Sequence, residues 1–411
     1  MRAQVPADAP SSAAHSVPTV SESAVDVLIV GGAIIGSATA FFLKRLGFQG
    51  SVRVLEQDAS YQRCATTRSA ASIRHQFSTP ENIRISQFGS EFIQHIGDWL
   101  AIDGQTPQVD FVEGGYLFLA SAAGEAVLRA KHAVQTGLGA DVALLDPAAL
   151  QARFPWLATD DLAAGSLGLS GEGWLDAYSL LRAFRRKAIS LGAEYREARV
   201  EALLRSGRRV VGARLASGET VHAGIVINAA GTSAAQLALS AGISLPVVSR
   251  KRCVFYFKCR DALPGCPLVI DPSGAYFRPE GGGFICGISP EASADPECHD
   301  FDVDYPLFDE VLWPLLAARV PTFEAIKLES AWAGHYDMNS FDHNVILGPH
   351  PDIDNLLFAN GFSGHGLQQA PAVGRALAEW VVHGGYRSLD LSPLGWARVL
   401  EGRPVTELAV V

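Results

Sequence analysis

The sequence predicts an α/β chain in which a βαβ core is interleaved with a second region built on a large antiparallel or mixed sheet. Three segments predict it. VDVLIVGGAIIGSATAFFLKRLGFQGSVRVLEQ, near the start, joins an apolar strand, a glycine turn, a helix and a second strand ending in an acid. VVSRKRCVFYFKCR, in the middle, is a long run at the two-residue period of a strand. LLFANGFSGHGLQQAPAVGRALAEWVVHGG, near the end, repeats strand, glycine turn and amphipathic helix.

In the opening segment the glycine pattern reads Gly31, Gly32, Ala33, Ile34, Ile35, Gly36. Gly31 permits the tight turn, Gly36 lets helix and sheet pack closely, and the helix N-terminus offers unpaired N–H groups to a pyrophosphate. Ala33 stands where such motifs carry their second glycine, and its methyl crowds the phosphate slightly. Glu56, with Gln57 beside it, follows Gly36 by roughly the 20 residues that place a carboxylate on ribose hydroxyls. The run from Val27 to Leu43 has no charge and reads as a membrane span on hydropathy alone. Three glycines interrupt it after a short strand-like stretch, and Glu56 has no role in a membrane helix, which favours the nucleotide site.

The chain then gives a polar stretch, a helical pattern over Ile83 to Trp99, a strand at VEGGYLFLAS, and helical patterns at Glu125 to Gln135 and Pro147 to Phe154. A glycine-rich passage leads to a helix from Tyr178 to Leu191 and strands at Glu194 to Leu204, Val210 to Leu215 and Thr220 to Asn228. The last strand stops at Ala229, Ala230 and Gly231, small residues that let a ligand approach the backbone. In the alternating run Cys253, Phe255 and Phe257 share one face, and Val254 and Tyr256 the other. AYFRPEGGGFICGIS forms a hairpin over Gly281 to Gly283. These strands suggest a second sheet that walls a substrate site. The final helix, Leu367 to Val382, brings a second helix N-terminus toward the same long cofactor.

At 411 residues and 48% hydrophobic content the chain can bury a substantial core. Its net charge of −10 disfavours nucleic acid and anionic membrane as partners. Six cysteines form no Cys-x-x-Cys pair and no zinc-finger spacing, so no metal is expected, and reduced thiols imply a cytoplasmic location. Residues 1–24, rich in Ala, Ser and Pro, lack signal-peptide and transit-peptide features and are expected to be a disordered tail.

FSTPENI, SGAYFR, WAGHYD, SIRHQF and GFSGHGLQQAP, in that set of separated stretches, carry a resemblance. From about Val25 to Leu391 the chain resembles the D-amino-acid oxidase superfamily of flavoproteins, in the branch of sarcosine oxidase, glycine oxidase and dimethylglycine dehydrogenase. In those stretches it is similar to the mitochondrial FAD-dependent oxidoreductases linked to complex I assembly. The resemblance implies a discontinuous Rossmann-like FAD-binding domain (25–110, 165–245 and 330–391) and a substrate domain (111–164 and 246–329). It implies that Glu56 holds the adenosine ribose, and that Thr66, Thr67, Arg68 and Ser69 wrap the pyrophosphate and ring edge. Val200 meets the adenine, and Ala229 to Gly231 line the ribityl chain. Gly361, Phe362, Gly364, His365, Gly366, Leu367 and Gln368 set a helix N-terminus against the flavin pyrimidine ring, where negative charge develops on reduction.

Departures from the family refine this. Flavin-linking histidine and cysteine positions hold Ser69 and His335, so noncovalent FAD is expected, with a link through His335 as the open alternative. The oxygen-activating lysine of monomeric sarcosine oxidases aligns near Ile285, which leaves dioxygen or another electron acceptor open. Arg74 matches the arginine of the family motif IRHAY and becomes the expected carboxylate partner, with surface or phosphate-facing arginine as its plain alternative. Gln368 replaces the family's lysine and Tyr336 the clamp arginine of glycine oxidase, so Tyr276 and Arg278 are expected to assist Arg74. His335, Tyr336, His365 and Tyr276 complete the expected catalytic set, each with an ordinary core role as its alternative; His343, His350 and Cys286 are expected to be structural.

The resulting expectation is oxidation of the C–N bond of glycine or an N-substituted glycine, with a small amino-acid substrate and dioxygen or another electron acceptor as partners, no nucleic acid or membrane, and oligomers permitted. The alternatives are a non-catalytic FAD-binding assembly or scaffold factor and an NAD-dependent dehydrogenase.

Overall fold

The computed structural model describes residues 23–408, so the first 22 residues of the expected tail lie outside the described residues. Ser23 and Ala24, assigned above to that tail, instead begin the first strand, Ser23–Val30, and pair with Val221 and His222.

Two eight-stranded sheets organise the described residues. The first runs in the order Ile346–Pro349, Leu356–Asn360, Thr220–Asn228, Ser23–Val30, Val52–Glu56, Glu194–Glu197. The five strands from Leu356–Asn360 to Glu194–Glu197 in that order are parallel, and Val200–Ser206 and Arg209–Leu215 form an antiparallel flap on Thr220–Asn228. The second is mixed, in the order Ile326–Asn339, Val247–Cys259, Gly283–Gly287, Tyr276–Glu280, Leu268–Ile270, Tyr116–Ala120, Ala164–Gly168, Val142–Leu145. Ala164–Gly168 and Ile326–Asn339 straddle the domain limits expected near 165 and 330.

The uncharged run is explained by burial on all sides. The helix Ile34–Arg45 is buried from Ile34 to Leu43 and is covered by the first sheet and by the helices Ala177–Ser190 and Gly366–His383. Gly374 makes the last contact possible, because a Cβ there would stand 2.7 Å from the Ala38 carbonyl carbon. Among the described residues no helix is long and apolar enough to cross a membrane. Phe41, Phe42, Phe92 and Phe184 fill the same core, Phe92 and Phe184 stacking at 5.1 Å.

In the second sheet the alternation of the middle run has its expected effect. Phe255 and Phe257 join Phe277, Phe284 and Phe323 in a separate core, each burial contributing about 1.5–3 kcal/mol. Val254, Tyr276 and Tyr116 belong to the opposite surface, which faces the first sheet across a cavity.

Two expected elements are divided. The helical pattern from Ile83 to Trp99 begins earlier, at Pro80, and breaks at His95 into Pro80–Gln94 and Ile96–Leu100. The strand expected over Glu194 to Leu204 is two strands, Glu194–Glu197 in the parallel sheet and Val200–Ser206 in the flap. Between them Ala198 N–H donates to the Glu56 carbonyl and the Arg199 carbonyl accepts from Ala216. A chain that changes partner without changing its two-residue period leaves no mark in its pattern.

Candidate active site

One continuous cavity of about 1240 Å³ runs between the sheets. That exceeds the roughly 300–1,000 Å³ typical of a drug-sized ligand and suits a long cofactor with a substrate beyond it. Glu56, Gln57 and Val200 line one end, and Gly31, Ala33, Ile34 and Ile35 meet Ala229, Ala230 and Gly231 along the middle. At the other end stand Arg74, Tyr276, His335 and Tyr336, with Phe362, Gly364, His365, Gly366, Leu367 and Gln368.

The glycine cradle has the shape a phosphate needs. Gly31 has φ +100°, and a Cβ on it would lie 2.2 Å from the Ala229 carbonyl oxygen. A Cβ on Gly36 would lie 1.9 Å from the Gly31 oxygen, so helix and turn touch backbone to backbone. Glu56 accepts hydrogen bonds from Gly32 N–H (2.8 Å) and Asp58 N–H (3.0 Å). Burial nevertheless pushes its carboxyl above the usual range, against those bonds.

Thr66, Arg68 and Ser69 also border the cavity, but several expected cofactor residues do not. Gly32 and Gly36 sit behind the turn, Thr67 faces Cys64 at 3.3 Å, and Gly361 donates its N–H to Asp337 at 2.6 Å. Arg68 is occupied: its guanidinium donates to the Gln62 carbonyl (2.7 Å) and the Ala333 carbonyl (2.8 Å) and lies 4.7 Å over the Phe301 ring. It ties the segment from Gln62 to Arg68 to the second sheet more than it serves as a free phosphate ligand.

Arg74 is 6% exposed and has no ion-pair partner among the described residues. Phe77, Phe118 and Tyr116 surround its guanidinium at 4.6, 5.3 and 5.7 Å. One terminal nitrogen contacts His365 Nε2 at 3.0 Å, while the buried Nε has no hydrogen-bond partner. Burial and the adjacent Arg74 charge push His365 well below the usual histidine range, so the ring is neutral and its Nε2 accepts. Gln368 borders the cavity, and its Oε1 accepts from Arg74 N–H at 2.8 Å, which fixes the backbone that carries the arginine just after the short strand Ser72–Ile73.

Arg278 departs from its expected role. It is absent from the cavity lining because its guanidinium is committed to the Ala70 carbonyl (2.8 and 3.0 Å), to the Pro279 carbonyl and to Glu280, and it stacks on Trp174. Tyr276 and Tyr336 remain at the cavity, both with hydroxyl pKa values raised by burial. His335 packs against the edge of Phe301 at 4.4 Å, its buried Nε2 has no partner, and burial lowers its pKa.

Sequence reading missed several groups that shape this end. Tyr116, on the second sheet, shares a 2.9 Å hydrogen bond with Ser72 and forms part of the box around Arg74. Glu172 is fully buried and accepts from His75 N–H (2.7 Å) and Gln76 Nε2 (2.8 Å), bracing the segment that follows Arg74; burial pushes it up to about 7. Asp337, raised to about 6 by burial, anchors the loop before the last helix. Arg252 stands 4.8 Å over the Tyr336 ring. Of these, Tyr116, Asp337 and Arg252 lie in stretches named above, the strand VEGGYLFLAS, WAGHYD and the alternating run, but none of the three was marked for the site. Among the described residues no group of three or more His, Cys, Asp or Glu side chains is placed to hold a metal ion.

The model of the family described as FAD dependent oxidoreductase matches residues 26–380. The chain is 42% identical to FAD-dependent oxidoreductase domain-containing protein 1 of Bos taurus, over 94% of this chain and 87% of that protein. Its fold superposes on the crystal structure of L-proline dehydrogenase from P. horikoshii with a TM-score of 0.82 and 25% identity, covering 93% of this chain and all of the other. For glycine oxidase from Geobacillus kaustophilus the TM-score is 0.76 at 25% identity, covering 91% and 98%. A glycine cradle, a cavity long enough for a dinucleotide and a family match across the whole of both sheets agree: this chain belongs to the FAD dependent oxidoreductase family.

Proposed function

We propose that the protein oxidises the C–N bond of glycine or an N-substituted glycine, with FAD held noncovalently. The observation that carries this reading is Arg74: a buried guanidinium in an aromatic box, without an anion of its own, at the end of the cavity beyond the glycine cradle. A cation in such surroundings is stabilised by a ligand carboxylate, which contributes about 1.5–3 kcal/mol through charge-assisted bonds. The amino-acid substrates named for the two structural relatives, L-proline and glycine, both present a carboxylate beside an oxidisable C–N bond.

FAD, which Glu56, the turn at Gly31 and the small residues Ala229 to Gly231 would hold, would supply a two-electron oxidant for the amine, whose imine product water would hydrolyse to a carbonyl compound and an amine. The chain's own residues act by position and charge. Gln368 and His365 hold Arg74 in place through its backbone and side chain. Arg74 in turn disfavours a protonated amine nearby, so the substrate nitrogen loses its proton to solvent before reaction. The helix Gly366–His383 turns its N-terminal N–H groups to the cavity, a positive end that stabilises negative charge arising there. A cytoplasmic location, resting on six unpaired thiols, is part of the same proposal.

Anaerobic mixing of the yellow holoprotein with sarcosine, glycine and iminodiacetate-type compounds tests it. Bleaching of the flavin band by at least one of these is expected. Retention of full colour across the panel overturns the proposal and favours a non-catalytic FAD-binding assembly factor.

A further inference from the structure

The backbone that carries Arg74 is irregular. Residues 74–79 connect the short strand Ser72–Ile73 to the helix Pro80–Gln94 and belong to neither. Buried backbone outside regular structure must find its hydrogen-bond partners elsewhere. Two buried acids from distant parts of the chain supply them here. Glu172 holds the first half of the segment, through His75 N–H and the Gln76 amide. Glu407 holds the second half, accepting from Ser78 N–H (2.7 Å), Ser78 Oγ (2.6 Å), Thr79 N–H (3.1 Å) and the Thr79 hydroxyl.

Phe77 lies between these two anchors and is 2% exposed. Its ring is 4.6 Å from the Arg74 guanidinium and meets the His365 ring edge-on, with centroids 5.0 Å apart. Phe77 is absent from the cavity lining, so it backs the Arg74–His365 pair instead of facing a ligand. A ring in that place keeps water off the rear of the guanidinium. Charge-assisted bonds weaken as the local dielectric rises, so a displaced Phe77 would loosen the grip of Arg74 on an anion.

Glu407 comes from a segment past residue 380, where the match to the family model ends. That segment is tied down on both sides of the acid. Val405 N–H donates to Asp342 at 3.1 Å, the Val405 carbonyl accepts from Asn344 at 2.6 Å, and Leu408 N–H donates to Ser78 Oγ at 2.8 Å. Asn82 extends the network: its Nδ2 donates to Glu407 at 2.8 Å and its Oδ1 accepts from Gln369 Nε2 at 2.9 Å. Gln369 follows Gln368, the residue that holds Arg74 N–H. One carboxylate thereby joins the backbone after Phe77 to the helix that carries His365 at its start.

We propose that Glu407 is a positioning residue for the carboxylate site, acting through Ser78 and Thr79 to seat Phe77 behind Arg74 and His365. The inference rests on the reading of Arg74 as the carboxylate partner given above. It makes the segment around Glu407 a determinant of substrate affinity, although none of it touches the cavity.

The test uses the FAD-loaded protein and two readouts. Calorimetric titration with propionate, a carboxylate without an amine, gives a Kd that needs no turnover; steady-state rates with the panel compound that bleaches the flavin give KM and kcat. Glu407→Gln should raise the propionate Kd and the KM together by about 3- to 10-fold, the worth of a weakened cation–π contact, and leave kcat within about twofold. Glu401→Gln, at an exposed acid of the same segment, should change neither. Phe77→Leu should raise the Kd in the same way and add little to Glu407→Gln in the double variant, because both act through one ring. Ser78→Ala, which removes a donor to Glu407, supplies the same readout if Glu407→Gln folds poorly. A folded Glu407→Gln or Ser78→Ala protein with wild-type Kd, full additivity with Phe77→Leu, or a wild type that binds no propionate overturns the inference. Absence of bleaching across the panel is instead the failure of the amine-oxidation reading, and the propionate titrations still decide the role of Glu407.

Discussion

Replacing Arg74 by Met separates a ligand-binding cation from a structural one. In the folded protein Arg74 has an unpaired Nε, no carboxylate partner among the described residues, and a second cation, Lys131, on the same Phe118 ring at 5.1 Å. Removing it relieves an unsatisfied donor and a like-charge approach, and forfeits the bond to His365 Nε2 and cation–π contacts worth roughly 0.5–1 kcal/mol each. These nearly cancel, so urea denaturation should place Arg74→Met within about 1 kcal/mol of wild type. Arg398→Met is the contrast, because it strands the buried Asp342 carboxylate, and about 3–5 kcal/mol should be lost. Substrate binding should respond the other way. Anaerobic flavin titration should show the Kd of a carboxylate substrate rising about 10- to 150-fold in Arg74→Met, the equivalent of about 1.5–3 kcal/mol. An Arg74→Met protein as unstable as Arg398→Met, with substrate dependence unchanged, would refute the reasoning and leave Arg74 as a core cation.

Lys131 is pushed down to about 8 by burial first and by Arg74 second. Its folded pKa lies below its unfolded one, so between about 8 and 10.5 the unfolded chain binds more protons and stability climbs as pH rises. Lys131→Met should therefore be more stable at pH 7 by an amount on the order of 3 kcal/mol and lack that climb; a variant weaker at pH 7 would contradict this. Glu407 accepts from Ser78 N–H (2.7 Å), Ser78 Oγ (2.6 Å), Thr79 N–H (3.1 Å), the Thr79 hydroxyl and Asn82 Nδ2 (2.8 Å). Burial opposes its charge, but those donors outweigh burial and hold the carboxyl below its usual range. Glu407→Ala should cost about 2–4 kcal/mol at neutral pH, and the wild-type advantage should vanish as pH falls below about 4.5 in chemical denaturation. Acid precipitation of the holoprotein should leave FAD in the supernatant; flavin that precipitates with wild type but not with His335→Ala would show a link through that histidine.

The parts legible in the sequence are those fixed by neighbours close along the chain. Gly31 and Gly36 announce a turn and a close helix contact because no other residue type meets those backbone demands, and Phe255 and Phe257 announce a buried face by their spacing. Arg74 was singled out by the motif around it, yet nothing local shows that Phe77, Tyr116 and Phe118 would box it without an acid. Arg278 shows the opposite case. It has the same charge on a strand beside the cavity, but the Ala70 carbonyl, over two hundred residues away, captures its donors. Glu172, Asp337 and Glu407 stayed hidden for a related reason: a lone acid reads as surface until its long-range N–H donors are known.

The contact between Ala38 and Gly374 joins the beginning of the described chain to its end. A ribosome making this protein exposes the helix Ile34–Arg45 long before Gly366–His383, the element that seals its apolar side, has been synthesised. The cover of that apolar helix, and the cavity wall at Phe362 to Gln368, therefore complete only after residue 366 has been synthesised. Loading with FAD is in that sense a late event of biosynthesis, and a chain cut short before residue 366 exposes a sticky surface that quality control can recognise.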